Sequence, residues 1–142
     1  MNSVKLITVF AENKLGELAR VTKILADANV NLRWVTIATS GAFGVMKFLV
    51  DQCELAYHLL KQSRLMVSLV EVVAVEVEDS PGALHGVAKC LASHQINIEN
   101  SSGFNARNRA VLLIEVKDPA RARQVLEAER FRLLSQEEML DL

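Results

Sequence analysis

A basic excess is missing from this sequence: Lys and Arg number 16 against 17 Asp and Glu, a formal charge of −1. Nucleic-acid binders usually carry a basic face or stripe, so that partner class is not expected. Long apolar runs are missing as well. None approaches the roughly 18 residues that span a bilayer, so no membrane partner is expected. The opening run MNSVKLITVFAEN has one Lys and a short apolar stretch broken by Glu12; it reads as a strand, not a secretion signal. A soluble cytoplasmic protein is the default. Cysteine is scarce. Cys53 and Cys90 stand far apart with no CxxC, and read as small apolar residues in packed positions sooner than as a redox pair. No two of His58, His85 and His94 share a metal spacing, so neither a metal nor a cofactor is expected. No nucleophile–base constellation stands out, so an enzyme is not expected either.

What the sequence does have is apolar residues, 51% of 142. That is enough for a real core and argues against disorder. The length suits one ordinary domain or two minimal ones. Self-comparison decides between them. ENKLGELARVTKILADANVNLRW, from Glu12, and EDSPGALHGVAKCLASHQINIEN, from Glu78, superpose at a shift of 66 residues. Glu12, Gly16, Leu18, Val21, Lys23, Leu25, Ala26 and Asn31 meet identical residues at 78, 82, 84, 87, 89, 91, 92 and 97. The match continues without a gap: Val45 meets Val111, Val50 meets Val116, Ala56 meets Ala122 and Leu60 meets Leu126. A match this long without insertion points to duplication of a whole structural unit.

Each unit reads the same way. Val4 to Ala11 is apolar, as a buried strand would be, and Glu12 to Gly16 is a loop. Leu18, Val21, Leu25 and Ala28 recur at helical spacing. Val30 to Ser40 is a strand rich in β-branched residues, Gly41 to Gly44 a turn and Val45 to Val50 another strand. Ala56, Leu59 and Leu60 mark a second helix, and Arg64 to Val70 a last strand. The second unit predicts strands near 70–77, 96–104, 108–116 and 131–135, with helices near 82–94 and 119–129. The order β-α-β-β-α-β implies an α+β chain of two ferredoxin-like units, each a four-stranded antiparallel sheet with both helices on one face. The expected domains are 1–69 and 70–142. VSLVEVVAVEVED joins them with no Pro, Gly or polar spacer, which predicts units packed together and not tethered by a flexible linker. Minimal units with bare sheet faces and edges predict a homodimer or larger assembly.

The loops carry more information than the fold. An acidic residue, Asn or Asp, two residues, Gly, then Leu-x-x-Val and later Val/Ile-Asn-Leu/Ile resembles the ACT domain; here it is ENKLG…VNL and EDSPG…INI. FGVMKFLVD and KDPARARQVL also look like the third strand and second helix of tandem ACT proteins. The resemblance covers essentially the whole chain. It implies a regulatory module that binds a free amino acid between paired units, and ligand groups at Asn13 and Asn31 in unit 1 and at Asp79 and Asn97 in unit 2. With the residues around each glycine, the implied set is Asn13, Leu15, Gly16, Glu17 and Asn31, then Asp79, Gly82, Ala83 and Asn97. Some serine-binding members use a His two positions before the loop Asn. Ala11 and Val77 stand there instead, against serine specificity.

The glycines, the asparagines and Asp79 each have a plainer reading as well. Gly16 and Gly82 either let a carboxylate approach backbone N–H groups at a helix start or supply a tight turn. The Asn13 amide can serve both ends of an α-amino acid, or cap a turn. Asn31 and Asn97 are ligand groups or strand-entry turn residues. Asp79, which only accepts when ionised, suits an ammonium or a helix start. His85 is expected in solvent, His94 as a helix-end packing residue, Trp34 in core packing or at an interface, and Arg107 and Arg109 in a solvated turn. A non-catalytic amino-acid sensor that regulates an enzyme partner or its own assembly heads the functional readings. A dimerisation module without ligand is the alternative. A nucleic-acid-binding unit of the same topology would need exposed aromatics on the central strands and a basic face; Val45–Val50 and Val111–Val116 offer only Phe48, and the net charge is −1. An acylphosphatase-like hydrolase would need an Arg in its loop, and neither loop has one.

Overall fold

The computed structural model describes residues 3–142; Met1 and Asn2 of the opening run lie outside the described residues. Lys5–Val70 form one compact unit, and Glu71–Leu142, to which Ser3 and Val4 are assigned, form the other. In chain order the elements are β1 (Val4–Glu12), α1 (Glu17–Asp27), β2 (Leu32–Ser40), β3 (Phe43–Val50), α2 (Cys53–Gln62), β4 (Met66–Glu78), α3 (Ala83–Ser93), β5 (Asn100–Ala106), β6 (Arg109–Glu115), α4 (Pro119–Ala128), β7 (Arg132–Leu134) and α5 (Gln136–Leu140). The duplicated α+β, ferredoxin-like order is as expected.

The first unit pairs β1 with β3 and β3 with β2, all antiparallel. Its core lies on one sheet face. Ile7 pairs with Phe48 and Val9 with Met46, and this row packs under Val21 and Leu25 of α1 and Ala56 and Leu60 of α2, all buried. The second unit repeats the arrangement at the same shift. Val73 pairs with Ile114 and Val75 with Leu112, beneath Val87 and Leu91 of α3 and Ala122 and Leu126 of α4. Both helices of each unit therefore cover one face, as the element order requires.

The helix ends repeat as well. α1 stops where Val30 N donates to Leu25 O (2.9 Å) and Asn29 N to Ala26 O (3.0 Å). Asn29 is left-handed, at φ 59°. This is the Schellman pattern, with an apolar residue after the left-handed one packing back on the helix. The same two bonds recur at Arg64 and Leu65, at Gln95 and Ile96, and at Arg130 and Phe131, with φ of 63°, 62° and 66° at the first residue of each pair. None of the four is glycine. This ending explains two shifted strand starts. Val30 and Ile96 are held back on their helices, so β2 begins at Leu32 and β5 at Asn100 instead of at 30 and 96.

Three further differences from expectation concern β4, the C-terminal residues and Trp34. β4 runs without interruption from Met66 to Glu78, so the expected last and first strands of the two units are one strand. α5 was not anticipated, although its signal is in the sequence: Ser135 and Glu138 form a reciprocal capping box. Trp34 is not core. It pairs with Leu49 in the register and is half-buried on the sheet face away from the helices. That face is not bare at its centre, where Leu6, Thr8 and Leu49 are buried; Val72, Ala74 and Leu113 are buried on the corresponding face of the second unit. No helix among the described residues is long and apolar enough to cross a membrane.

Candidate functional site

Each loop expected to bind ligand ends on a left-handed glycine. Gly16 is the N-cap of α1 at φ 89°, ψ −5°, and Gly82 the N-cap of α3 at φ 90°, ψ −7°; no side chain caps either helix. A Cβ at either position would meet nothing within 4 Å. Glycine is thus required by the dihedral angles and not by space, a left-handed conformation costing an L-residue about 1–2 kcal/mol. The first bonds inside each helix run from Arg20 N to Gly16 O (2.9 Å) and from Gly86 N to Gly82 O (3.0 Å). The N–H groups ahead of them have no intrahelical acceptor and carry the positive end of the helix dipole.

In the first unit this helix start opens on a cleft of about 330 Å³, walled by the loop, by Ile37 and Thr39 of β2 and by Gly44 and Met46 of β3. Asn13, Leu15, Gly16 and Glu17 all line it, so four of the expected residues come together. Asn13 fixes the loop: its N–H donates to Ala42 O (2.8 Å) and its Nδ2 to Gly41 O (3.1 Å) across the β2–β3 turn. With Nδ2 engaged, Oδ1 is the Asn13 atom suited to accept from an ammonium. The Glu17 carboxylate is buried and meets Arg20 Nε at 3.2 Å and Lys14 Nζ at 3.9 Å. Its hydrogen bond to Arg20 holds it below the ordinary carboxylate range against the opposing effect of burial, with the charges of Arg20 and Lys14 assisting. Leu15 is fully exposed at the rim. The wall residues Ile37, Thr39, Gly44 and Met46 were missed from the sequence. Strand alternation places Ile37 and Thr39 on one face, but only the β1–β3 and β2–β3 registers together bring that face under the loop.

Asn31 does not join this cleft. It follows the far end of α1, an 11-residue helix and hence about 16 Å long at 1.5 Å per residue. Its N–H donates to Asp51 Oδ1 (3.1 Å) and its carbonyl accepts from Asp51 N (3.2 Å). It lines a separate, shallow depression with Thr22 and Lys23.

The second unit differs where the ligand loop is concerned. Asp79 accepts a hydrogen bond from Asn105 Nδ2 of β5 at 2.9 Å, a tie between two side chains where the Asn13 side chain meets a backbone carbonyl. Gly103 stands where Ile37 does in the first unit, and a Cβ there would come within 3.1 Å of Leu112. Ala83 packs on the second core. Asn97 lines a cavity of about 280 Å³ with Lys117 and Arg121, away from Gly82. Arg107 and Asn108 form the β5–β6 turn with φ of 53° and 65°. Arg109 is not simply solvated, since its Nε lies 3.9 Å from Glu76. Burial first, then Glu54 for Cys53 and Glu129 for Cys90, pushes both thiols above the ordinary range.

A sequence search of the curated proteins gives no match. Among solved structures, a protein from Bacteroides thetaiotaomicron is 30% identical with a TM-score of 0.92, over 100% of both chains. The ligand-free regulatory subunit of aspartate kinase from Thermus thermophilus is 18% identical with a TM-score of 0.62, over 87% of this chain and 91% of that one. The corresponding subunit from Thermus flavus gives 18% and 0.61, over 87% and 90%; at this identity the likeness is one of fold. The family scan matches an ACT domain pair over residues 2–142. With the duplicated βαββαβ order, the glycine at each first helix start and that match along nearly its whole length, the chain belongs to the ACT domain pair family.

Proposed function

We propose that this protein is a non-catalytic, cytoplasmic regulatory protein that binds a free amino acid at the Gly16 cleft. The observation that carries this reading is the meeting of opposite chemistries there. The uncapped helix start offers N–H groups and a positive dipole end to a carboxylate. Asn13 Oδ1 and the Glu17 carboxylate offer acceptors to an ammonium. Ile37 and Met46 supply an apolar wall for a small side chain. The cleft is shallow on the side of Leu15, and a second ACT unit from another copy of the chain would close it. Ligand then favours one assembly over another by as much as its affinity differs between them. The output passes to a regulated enzyme partner or through assembly itself, with no nucleic acid or membrane involved.

A second reading rests on a specific observation. Leu15, Val35, Ile37 and Phe43 are exposed in one unit, and β2 stands at the end of its strand order. That suits a dimerisation module with no ligand at all. A thermal-shift screen against the common amino acids separates the two. The sensor reading requires a concentration-dependent rise in melting temperature with at least one of them. No shift with any, in a protein shown to be dimeric, leaves the dimerisation reading.

A further inference from the structure

Outside the ligand loops, the second unit brings three metal-binding side chains together. Cys90 lies on α3, His94 at the C-cap of α3, and Glu129 at the C-cap of α4. One donor atom from each, sulfur, imidazole nitrogen and carboxylate oxygen, lies within 4.8 Å of the others. We propose that Cys90, His94 and Glu129 form a binding site for a borderline-soft divalent transition metal ion of the zinc class, with a fourth position open to water or to a group from a partner.

The donor chemistry selects the ion. Thiolate and imidazole favour zinc-like ions over magnesium or calcium, which take oxygen ligands. Three protein ligands with one open position is a common tetrahedral arrangement for zinc. Metal–ligand distances of about 2.0–2.3 Å put the donors of such a site roughly 3.3–3.8 Å apart. The three side chains therefore need to close by about an ångström. Glu129 is exposed and His94 half-buried, and both sit at helix ends, where rotamers can adjust.

The imidazole is already oriented. His94 Nδ1 lies 2.9 Å from the carbonyl of Cys90 and 3.2 Å from Ser93 Oγ, which itself donates to that carbonyl at 2.8 Å. A carbonyl only accepts, so Nδ1 carries the proton and Nε2 keeps its lone pair for a metal. Metal-ligating histidines are usually held by such a bond from the other nitrogen. Arg121 Nη2 donates to the His94 carbonyl at 2.6 Å and ties the end of α3 to α4, which carries Glu129.

The duplication shows that the fold does not demand these residues. At the shift of 66, Cys90, His94 and Glu129 correspond to Ile24, Ala28 and Ser63. Ile24 and Ala28 pack on the first core as ordinary apolar residues. The first copy fills two of these positions with hydrocarbon and the third with Ser63, whose hydroxyl is spent on the Leu59 carbonyl; the second carries three different donors. The cluster has no paired-histidine signature: its nitrogen and sulfur are four residues apart at the end of α3 and its oxygen comes from the end of α4.

The test is titration of the full-length, metal-free protein with Co²⁺ and Zn²⁺. The expected result is one equivalent bound per chain, with the near-ultraviolet thiolate-to-cobalt charge-transfer band, displaced by Zn²⁺ and not by Mg²⁺. Cys90→Ser should abolish the band and Cys53→Ser should leave it. Because Cys90 is buried, Glu129→Gln serves as the variant that leaves the core alone, and should weaken Co²⁺ binding tenfold or more. No charge-transfer band in the parent protein, a band that survives Cys90→Ser, affinity unmoved by Glu129→Gln, or equal competition by Mg²⁺ would each overturn the proposal.

Discussion

Replacing Gly16 and Gly82 by alanine, one at a time, separates what the loop does for the fold from what it does for a ligand. The two positions are almost superposable in conformation, at φ 89° and 90°, and an added Cβ meets nothing within 4 Å at either. No clash contributes, so the cost of each substitution is the left-handed conformation alone, about 1–2 kcal/mol. For a chain of this size that lowers the melting temperature by roughly 3–8 °C. Denaturation followed by circular dichroism should give near-equal losses for the two variants. Their response to ligand should differ. At about 100 times its dissociation constant a cognate amino acid stabilises the parent protein by about 2.7 kcal/mol. Gly82→Ala should keep most of that gain. Gly16→Ala puts a methyl group where the carboxylate approaches the helix start and should lose most of it. Losses within about 0.5 kcal/mol of zero, as for an ordinary surface substitution, would refute the dihedral argument. Gly16→Ala that keeps the ligand response while Gly82→Ala loses it would refute the choice of cleft.

The paired loop residues make a related case. Asn13→Ala should weaken amino-acid binding about tenfold or more by calorimetry, on the scale of one hydrogen bond to a charged group. Asp79→Ala, whose carboxylate is already tied to Asn105, should change binding little. Arg64→Gly and Arg130→Gly, at left-handed helix ends, should each raise stability by up to about 1 kcal/mol in urea unfolding; a loss at both would show that their side chains matter more than their dihedrals. Because its hydrogen bond to Arg20 lowers the Glu17 pKa from 4.5, the carboxylate stabilises the fold above the ordinary range, and that contribution disappears as pH falls through the lowered value. Glu17→Gln should therefore flatten the acid limb of the stability profile, and an unchanged slope below about pH 4.5 would contradict it. Light scattering should find a dimer or larger species, since Leu15, Val35, Ile37 and Phe43 are exposed; a monomer at high micromolar concentration, with and without ligand, would remove the assembly argument.

The sequence by itself determined the repeat, the order of elements and the two core faces. Those follow from local rules. Apolar spacing of two or 3.6 residues selects strand or helix and the side that is buried, and the shift of 66 carries Ile7, Val9, Val21 and Leu25 onto Val73, Val75, Val87 and Leu91. It also determined where the chain turns at Gly16 and Gly82, because few residues besides glycine enter that region cheaply. What only the tertiary structure decided are the pairings between residues far apart in sequence. Asn13 and Asn31 look like one site in a motif, yet they flank opposite ends of a rigid helix. Ile37 and Met46 become the wall of the cleft through the strand register. Asp79, in the loop after β4, meets Asn105 of β5 from beyond α3, and Glu129 reaches Cys90 and His94 only because α4 packs beside α3. Periodicity reports which face of an element is buried; which residue of another element it meets depends on register and packing, and these are settled only when the whole unit closes on its core.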